Sequence, residues 1–211
     1  MKNLRTARSP VNTPCAPKHR HLQFSAMVAF GVGIALTMAA IIRPASALEL
    51  HSSDFADNGP LADAQVFNGF GCKGGNISPA LSWSDVPDGT KSFALMVHDP
   101  DAPTGSGWWH WVVTDIPADR RSLPQNAGDA TNPNAIPGAH QLKTDFGLAG
   151  YGGPCPPVGD APHPYQFTLF ALDVAALEMD ANASTALVGF MVHAHTIART
   201  TLTGTYGRPG K

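Results

Sequence analysis

Acidic residues are missing from the first 48 positions, and charge of either sign is missing from Phe24 to Ile42. Lys2, Arg5, Arg8, Lys18 and Arg20 stand ahead of that apolar run, and Arg43-Pro44 and Ala45-Ser46-Ala47 follow it. A basic start, an apolar middle and a small-x-small end predict a secretory signal over residues 1–47, cleaved after Ala47. The run is also just long enough to cross a bilayer, so a retained anchor is the competing reading. No Arg-Arg pair precedes it, which favours the general secretory route over the twin-arginine one. Cys15 lies ahead of the run, the wrong place for lipidation after cleavage.

Residues 48–211 are the expected mature chain, one domain in length with ample material for a single core. Cations are scarce in it: 8 of the 14 Lys and Arg against all 16 Asp and Glu, a net charge of −8. That balance excludes a broad positive field and so disfavours nucleic acid and anionic membrane surfaces as partners. An anionic ligand would need a local set of donors. Repeats and low-complexity tracts are absent, while 19 of the 21 Gly and 15 of the 19 Pro fall in this part and point to a turn-rich, mainly β domain. Once processed, it is not expected to be an integral membrane protein.

Catalytic signatures are missing as well. No Ser or Thr sits in a nucleophile motif, and no ligand spacing of the HExxH kind suggests a metal. Binding therefore ranks above catalysis, with a His-dependent hydrolase or lyase as the lesser alternative. No cofactor is implied.

The strands are legible from pattern. Leu48–Phe55 alternates, Ser78–Trp83 enters a short strand, and Lys91–His98 is an unbroken apolar run suited to burial on both faces. Trp109–Ile116 follows and ends at Pro117. His163–Leu172 alternates cleanly, so His163 shares a face with Tyr165, Phe167, Leu169 and Ala171. Phe67–Asn76, Ala118–Thr131 and Asn132–Tyr151 read as loops, the last long enough to suggest function. A helix capped by Asn182 or Ser184 is expected, with a core stripe of Leu187, Val188, Met191, Ala194, His195 and Ala198, before a last strand at Leu202–Tyr206. His193 and His195 lie two apart on that helix and face different ways.

Chemistry gathers in Leu95–Asp115, LMVHDPDAPTGSGWWHWVVTD. Pro100 and Pro103 cannot donate to a ladder, so the insert carrying Asp99, Asp101 and His110 is expected as a loop between strands. The Trp108-Trp109-His110-Trp111 run beside it suggests a walled pocket. Gly152-Gly153-Pro154-Cys155-Pro156-Pro157 makes a stiff second loop, in which Gly153 permits close backbone approach. Asp99, His110 and His163 are expected to converge there, with imidazoles that attract an anion when protonated.

DPDAP followed by W-x-H-W, and GPCPP followed by HPYQFTLFALD, resemble the phosphatidylethanolamine-binding protein family, especially its bacterial Raf kinase inhibitor-like branch. The resemblance covers about Phe67–Arg208. It implies an antiparallel β-sandwich with a few peripheral helices, one near the C-terminus, and an anion site lined by Asp99, His110, Gly153, Cys155, Pro157 and His163 with Tyr165 beneath. Pro164 stands where many relatives carry Arg, so that contact is missing here.

The reading is an exported, periplasmic or secreted protein that binds a small anion or phospholipid head group through an Asp/His pocket. The alternative is a periplasmic interaction protein that modulates a protease or kinase through a protein partner. Two cysteines, Cys72 and Cys155, remain in the mature chain, in loops that both feed strand ends. They are expected either to pair in an oxidising compartment or to pack separately as small apolar residues.

Overall fold

The computed structural model describes residues 47–132 and 134–210. Apart from Ala47, the predicted signal lies outside them. The unbroken apolar run becomes β6, Ser92–Asp99, in the middle of a six-stranded sheet. A strand covered on both faces has no position for a polar side chain to reach water, which is why it does not alternate. Phe93, Leu95 and Val97 enter one hydrophobic cluster, while Ala94 and Met96 enter a second on the opposite face.

β10, His163–Leu172, pairs antiparallel with β6 on one side, and β7, Trp108–Pro117, pairs with it on the other. β11, Thr196–Tyr206, extends the sheet beyond β10. Short edge strands β2, Gly59–Pro60, and β9, His140–Gln141, complete the order β2-β11-β10-β6-β7-β9. The two-residue β2–β11 pairing is parallel, and the other pairings of this sheet are antiparallel as expected. A smaller sheet holds β1 (Glu49–Ser52), β5 (Leu81–Ser84) and β8 (Ser122–Leu123). Its Leu50, Leu81, Trp83 and Leu123 share the cluster of Leu95, Trp111 and Phe167 from the large sheet. This is the expected sandwich. The glycine-rich stretch expected as pure loop carries a small hairpin, β3 (Asn68–Gly69) with β4 (Cys72–Lys73).

Of the few peripheral helices expected, the described residues hold one, α1 at Thr185–His195, which covers the other face of the large sheet. Ser184 caps it, its Oγ accepting the Leu187 N–H at 3.2 Å. The expected stripe needs correction: Val188 and Val192 are the buried pair, while Leu187 and Ala194 are exposed and Ala198 belongs to β11. Among the described residues, no helix is long and apolar enough to cross a membrane.

Candidate functional site

The inner face of β10 carries His163, Tyr165, Phe167, Leu169 and Ala171, all buried. The last four are core, and His163 is the first residue of the strand, at the end of the sheet. On β6, Phe93, Leu95 and Val97 share that face, and Asp99 ends the series. The two strand ends meet there. His163 Nδ1 donates to Asp99 Oδ2 at 2.7 Å, with both side chains almost wholly buried. Asp99 Oδ1 accepts the Asp101 N–H at 2.9 Å, which shapes the turn after the strand. On its other side, His163 Nε2 lies 3.5 Å from the half-exposed Asp160 carboxylate.

His110 reaches the same place by an irregularity. Val97 pairs with Trp111 and His98 with Trp109, so His110 is an extra residue in β7. A bulge re-aims the side chain it carries. Trp109 packs with the helix-side cluster and Trp111 with the inner one, and His110 meets Tyr165 edge-on at 5.1 Å between ring centres. Asp99 and His110 are thus strand residues, and only Pro100–Gly107 between them is loop. His110 is locked to the second loop twice: its Nδ1 donates to the Gly152 carbonyl at 2.6 Å, and the Gly152 N–H donates to the His110 carbonyl at 2.8 Å.

A carbonyl can only accept, so Nδ1 carries the proton and Nε2 of the neutral ring is bare. Burial pushes the His110 pKa down from 6.5 to about 4, outweighing the neighbouring carbonyls and Asp99. The expected attraction by a protonated His110 is therefore corrected. At neutral pH this ring acts as an acceptor. Burial, and then the Asp99 charge, holds the Tyr165 phenol above its ordinary range. Tyr165 Oη is buried without a hydrogen-bond partner among the described residues.

Asp99, His110, Cys155, Pro157, His163 and Tyr165 line one cavity of about 260 Å³. Gly153 does not line it. It stands behind the rim, where its N–H donates to Asn76 Oδ1 at 2.8 Å and a Cβ would run into the Gln65 carbonyl oxygen. Its smallness thus lets the rim lie against the Gln65–Phe67 backbone, as close approach demands. Cys72 and Cys155 sit at disulfide distance with Cα atoms 6.0 Å apart, so the pairing rather than the separate packing is found.

Sequence reasoning missed Phe70, Phe146 and Arg208, which also line the cavity. Phe146 comes from the long loop, stacks near Phe70 at 6.0 Å and meets Trp108 edge-on at 5.4 Å. The length of that loop was the only signal for it. Arg208 had none. Among the described residues, no group of three His, Cys, Asp or Glu side chains is placed to hold a metal ion.

The phosphatidylethanolamine-binding protein family model matches residues 51–207. The chain is 51% identical to Escherichia coli YbcL over 162 residues, covering 77% of this chain and 88% of that protein. It is 51% identical to Escherichia coli YbhB over 160 residues, covering 75% of this chain and 99% of that protein. The crystal structure of Escherichia coli YbcL superposes with a TM-score of 0.75 at 50% identity, covering 77% of this chain and 99% of that one. The chain belongs to the phosphatidylethanolamine-binding protein family.

Proposed function

We propose that this chain is an exported binding protein whose cavity takes a small phosphate- or carboxylate-bearing group, such as a phospholipid head group, without turning it over. The observation that carries the reading is the cavity itself. Four separate chain segments bring Asp99, His110, His163 and Arg208 to one aromatic-walled space. A cavity with an apolar wall and a few convergent polar groups is the usual form of a small-molecule site.

Binding is favoured over catalysis because, among the described residues, the cavity offers no ready nucleophile. Cys155 is paired with Cys72, and the Thr104 hydroxyl donates to the Gly107 carbonyl. Tyr165 is held protonated by burial. The neutral His110 ring suits a group that brings its own proton, such as a phosphomonoester monoanion donating O–H to Nε2. A phosphate gives up that proton near pH 6. Affinity should therefore fall as pH rises through about 6.

Calorimetric titration with phenyl phosphate at pH 5.5 and pH 8 tests this, with glycerophosphoethanolamine, a diester that has no such proton to lose, as a second probe of binding alone. Phenyl phosphate binding that weakens at the higher pH is expected. No binding of either compound, or equal affinity for phenyl phosphate at both pH values, would count against it. Export rests on the basic, apolar and small-x-small segments together with the cysteine pair, since disulfides persist in oxidising compartments. The mass of the exported protein should correspond to a chain starting at Leu48. A full-length chain held in the membrane fraction would overturn cleavage. A second reading, a protein-interaction module, draws on Phe70, which is 71% exposed at the cavity mouth.

A further inference from the structure

Arg208 lies two residues beyond β11, and its side chain returns to the cavity because β11 pairs with β10. Tyr206 sits opposite His163 in that register, so the residues that follow pass beside the site. Its guanidinium then joins both halves of the rim. Nη1 donates to the Pro156 carbonyl at 3.2 Å and Nη2 to the Gly71 carbonyl at 3.3 Å. Its main chain is fixed as well, the Arg208 carbonyl accepting the Gly159 N–H at 2.9 Å.

A guanidinium has five N–H donors in a planar fork. Nη1 also donates to Cys155 Sγ at 3.7 Å, so three are engaged by the rim and two remain for a ligand. No other permanently charged cation lines the cavity among the described residues. Asp99 brings negative charge, the His163 Nδ1 proton is taken by Asp99, and Asp160 faces the other nitrogen of that ring. His110 presents a bare nitrogen. An anion entering this space meets one fixed positive group, and it is Arg208. Pro164, one residue beyond His163, supplies no charge, so the cation comes from a different segment.

Resting on the binding reading above, we infer that Arg208 holds the ligand's anionic group at the cavity mouth while the ligand's apolar part lies on Phe70, Trp108 and Phe146. The ligand class is then a phosphate or carboxylate carrying a short apolar arm, in preference to a free inorganic ion. The fork is suited to this, since guanidinium matches the geometry of phosphate and carboxylate oxygens.

Calorimetry on the full chain with its disulfide formed, using phenyl phosphate and inorganic phosphate, is the test. Phenyl phosphate should bind the native protein more tightly than inorganic phosphate. Arg208→Gln should weaken phenyl phosphate about tenfold or more, the scale of losing a charge-assisted hydrogen bond. Arg208→Lys keeps the charge and loses the fork, so it should fall between the two. Arg208 also clamps the rim, and a clamp alone predicts no direct response of its guanidinium to the ligand. In native protein labelled with ¹⁵N-arginine, the Arg208 side-chain resonances should therefore move with phenyl phosphate and not with sodium chloride of equal ionic strength. If Arg208→Gln fails to fold, this measurement decides.

Unmoved resonances at saturation, phenyl phosphate binding that Arg208→Gln leaves intact, or equal affinity for the two phosphates overturns this inference alone. Failure of the native protein to bind either compound overturns the anion-binding reading and this inference with it.

Discussion

Asp99 and His163 are 64 residues apart in sequence, yet their side chains meet at 2.7 Å with about 4–5% of each exposed. The contact joins the end of β6 to the start of β10, just beyond the last paired residues, Gln166 with His98. Removing one partner leaves the other buried without compensation, which costs about 3–5 kcal/mol where it has been measured. His163→Ala should therefore lower stability by about 3 kcal/mol, the lower end of that range because Asp101 still donates to the carboxylate. Asp99→Asn keeps an oxygen that can accept from His163 and should cost less. Urea denaturation of both variants checks the order, and equal small losses would argue against a stabilising pair.

The pH dependence of folding should report on His110. Its folded pKa, about 4, lies below its unfolded value of 6.5, so the unfolded chain binds the extra proton between those values. Its contribution is fully present above pH 6.5 and is lost as pH falls towards 4. The loss is on the order of 3 kcal/mol. His110→Gln should flatten stability against pH over that window relative to the native chain, with carboxylate contributions common to both. Parallel curves for the two proteins would contradict it.

The helix gives a sharper contrast. Val188 is fully buried against the sheet, while the adjacent Leu187 is 49% exposed. Val188→Ala should cost about 2 kcal/mol through lost burial and a cavity. Leu187→Ala, despite removing a larger side chain, should stay within about 0.5 kcal/mol. Thermal melts of the two variants compare them directly, and the opposite order would restore the face read from the sequence.

That face was misread for a physical reason. TALVGFMVHAH is apolar on nearly every side, so its period is weak, and the pattern ran on to Ala198 past the end of the helix. The helix ends at His195, and its cap Thr196, whose Oγ1 donates to the Val192 carbonyl at 2.6 Å, is the first residue of β11. The buried strands were easier to read. Clean alternation placed His163 and Tyr165 on one face, and the solid apolar run marked β6 as a doubly covered strand. Strict alternation gives Trp109 and Trp111 one face and His110 the other, and only the bulge brings His110 inward. Such a bulge depends on the pairing of β6 with β7, which has no local signature. Arg208 was invisible for the same reason, since its position follows from the β10–β11 register.

Besides the Phe67 N–H to Pro154 carbonyl and Gly153 N–H to Asn76 Oδ1 bonds, the two loops of the rim are tied by a disulfide and by Arg208, which makes a test of how the rim is held. Cys72 and Cys155 lie 83 residues apart, so closing that loop should contribute roughly 4 kcal/mol on the chain-entropy model. Reduction, or replacement of both cysteines by serine, should shift the urea midpoint accordingly. Alkylation of protein purified without reductant should find neither Cys72 nor Cys155 free. Arg208 spans the same two loops through Gly71 and Pro156, next to Cys72 and Cys155. Two ties in parallel restrain one motion, so losing either alone leaves the rim in place. Removing both by combining the serine pair with Arg208→Gln should therefore cost more than the sum of the separate losses, by about 0.5–3 kcal/mol. Strict additivity in that cycle would mean that the two ties hold independent parts of the rim. An unchanged midpoint on reduction would mean that the disulfide holds nothing the fold does not already hold.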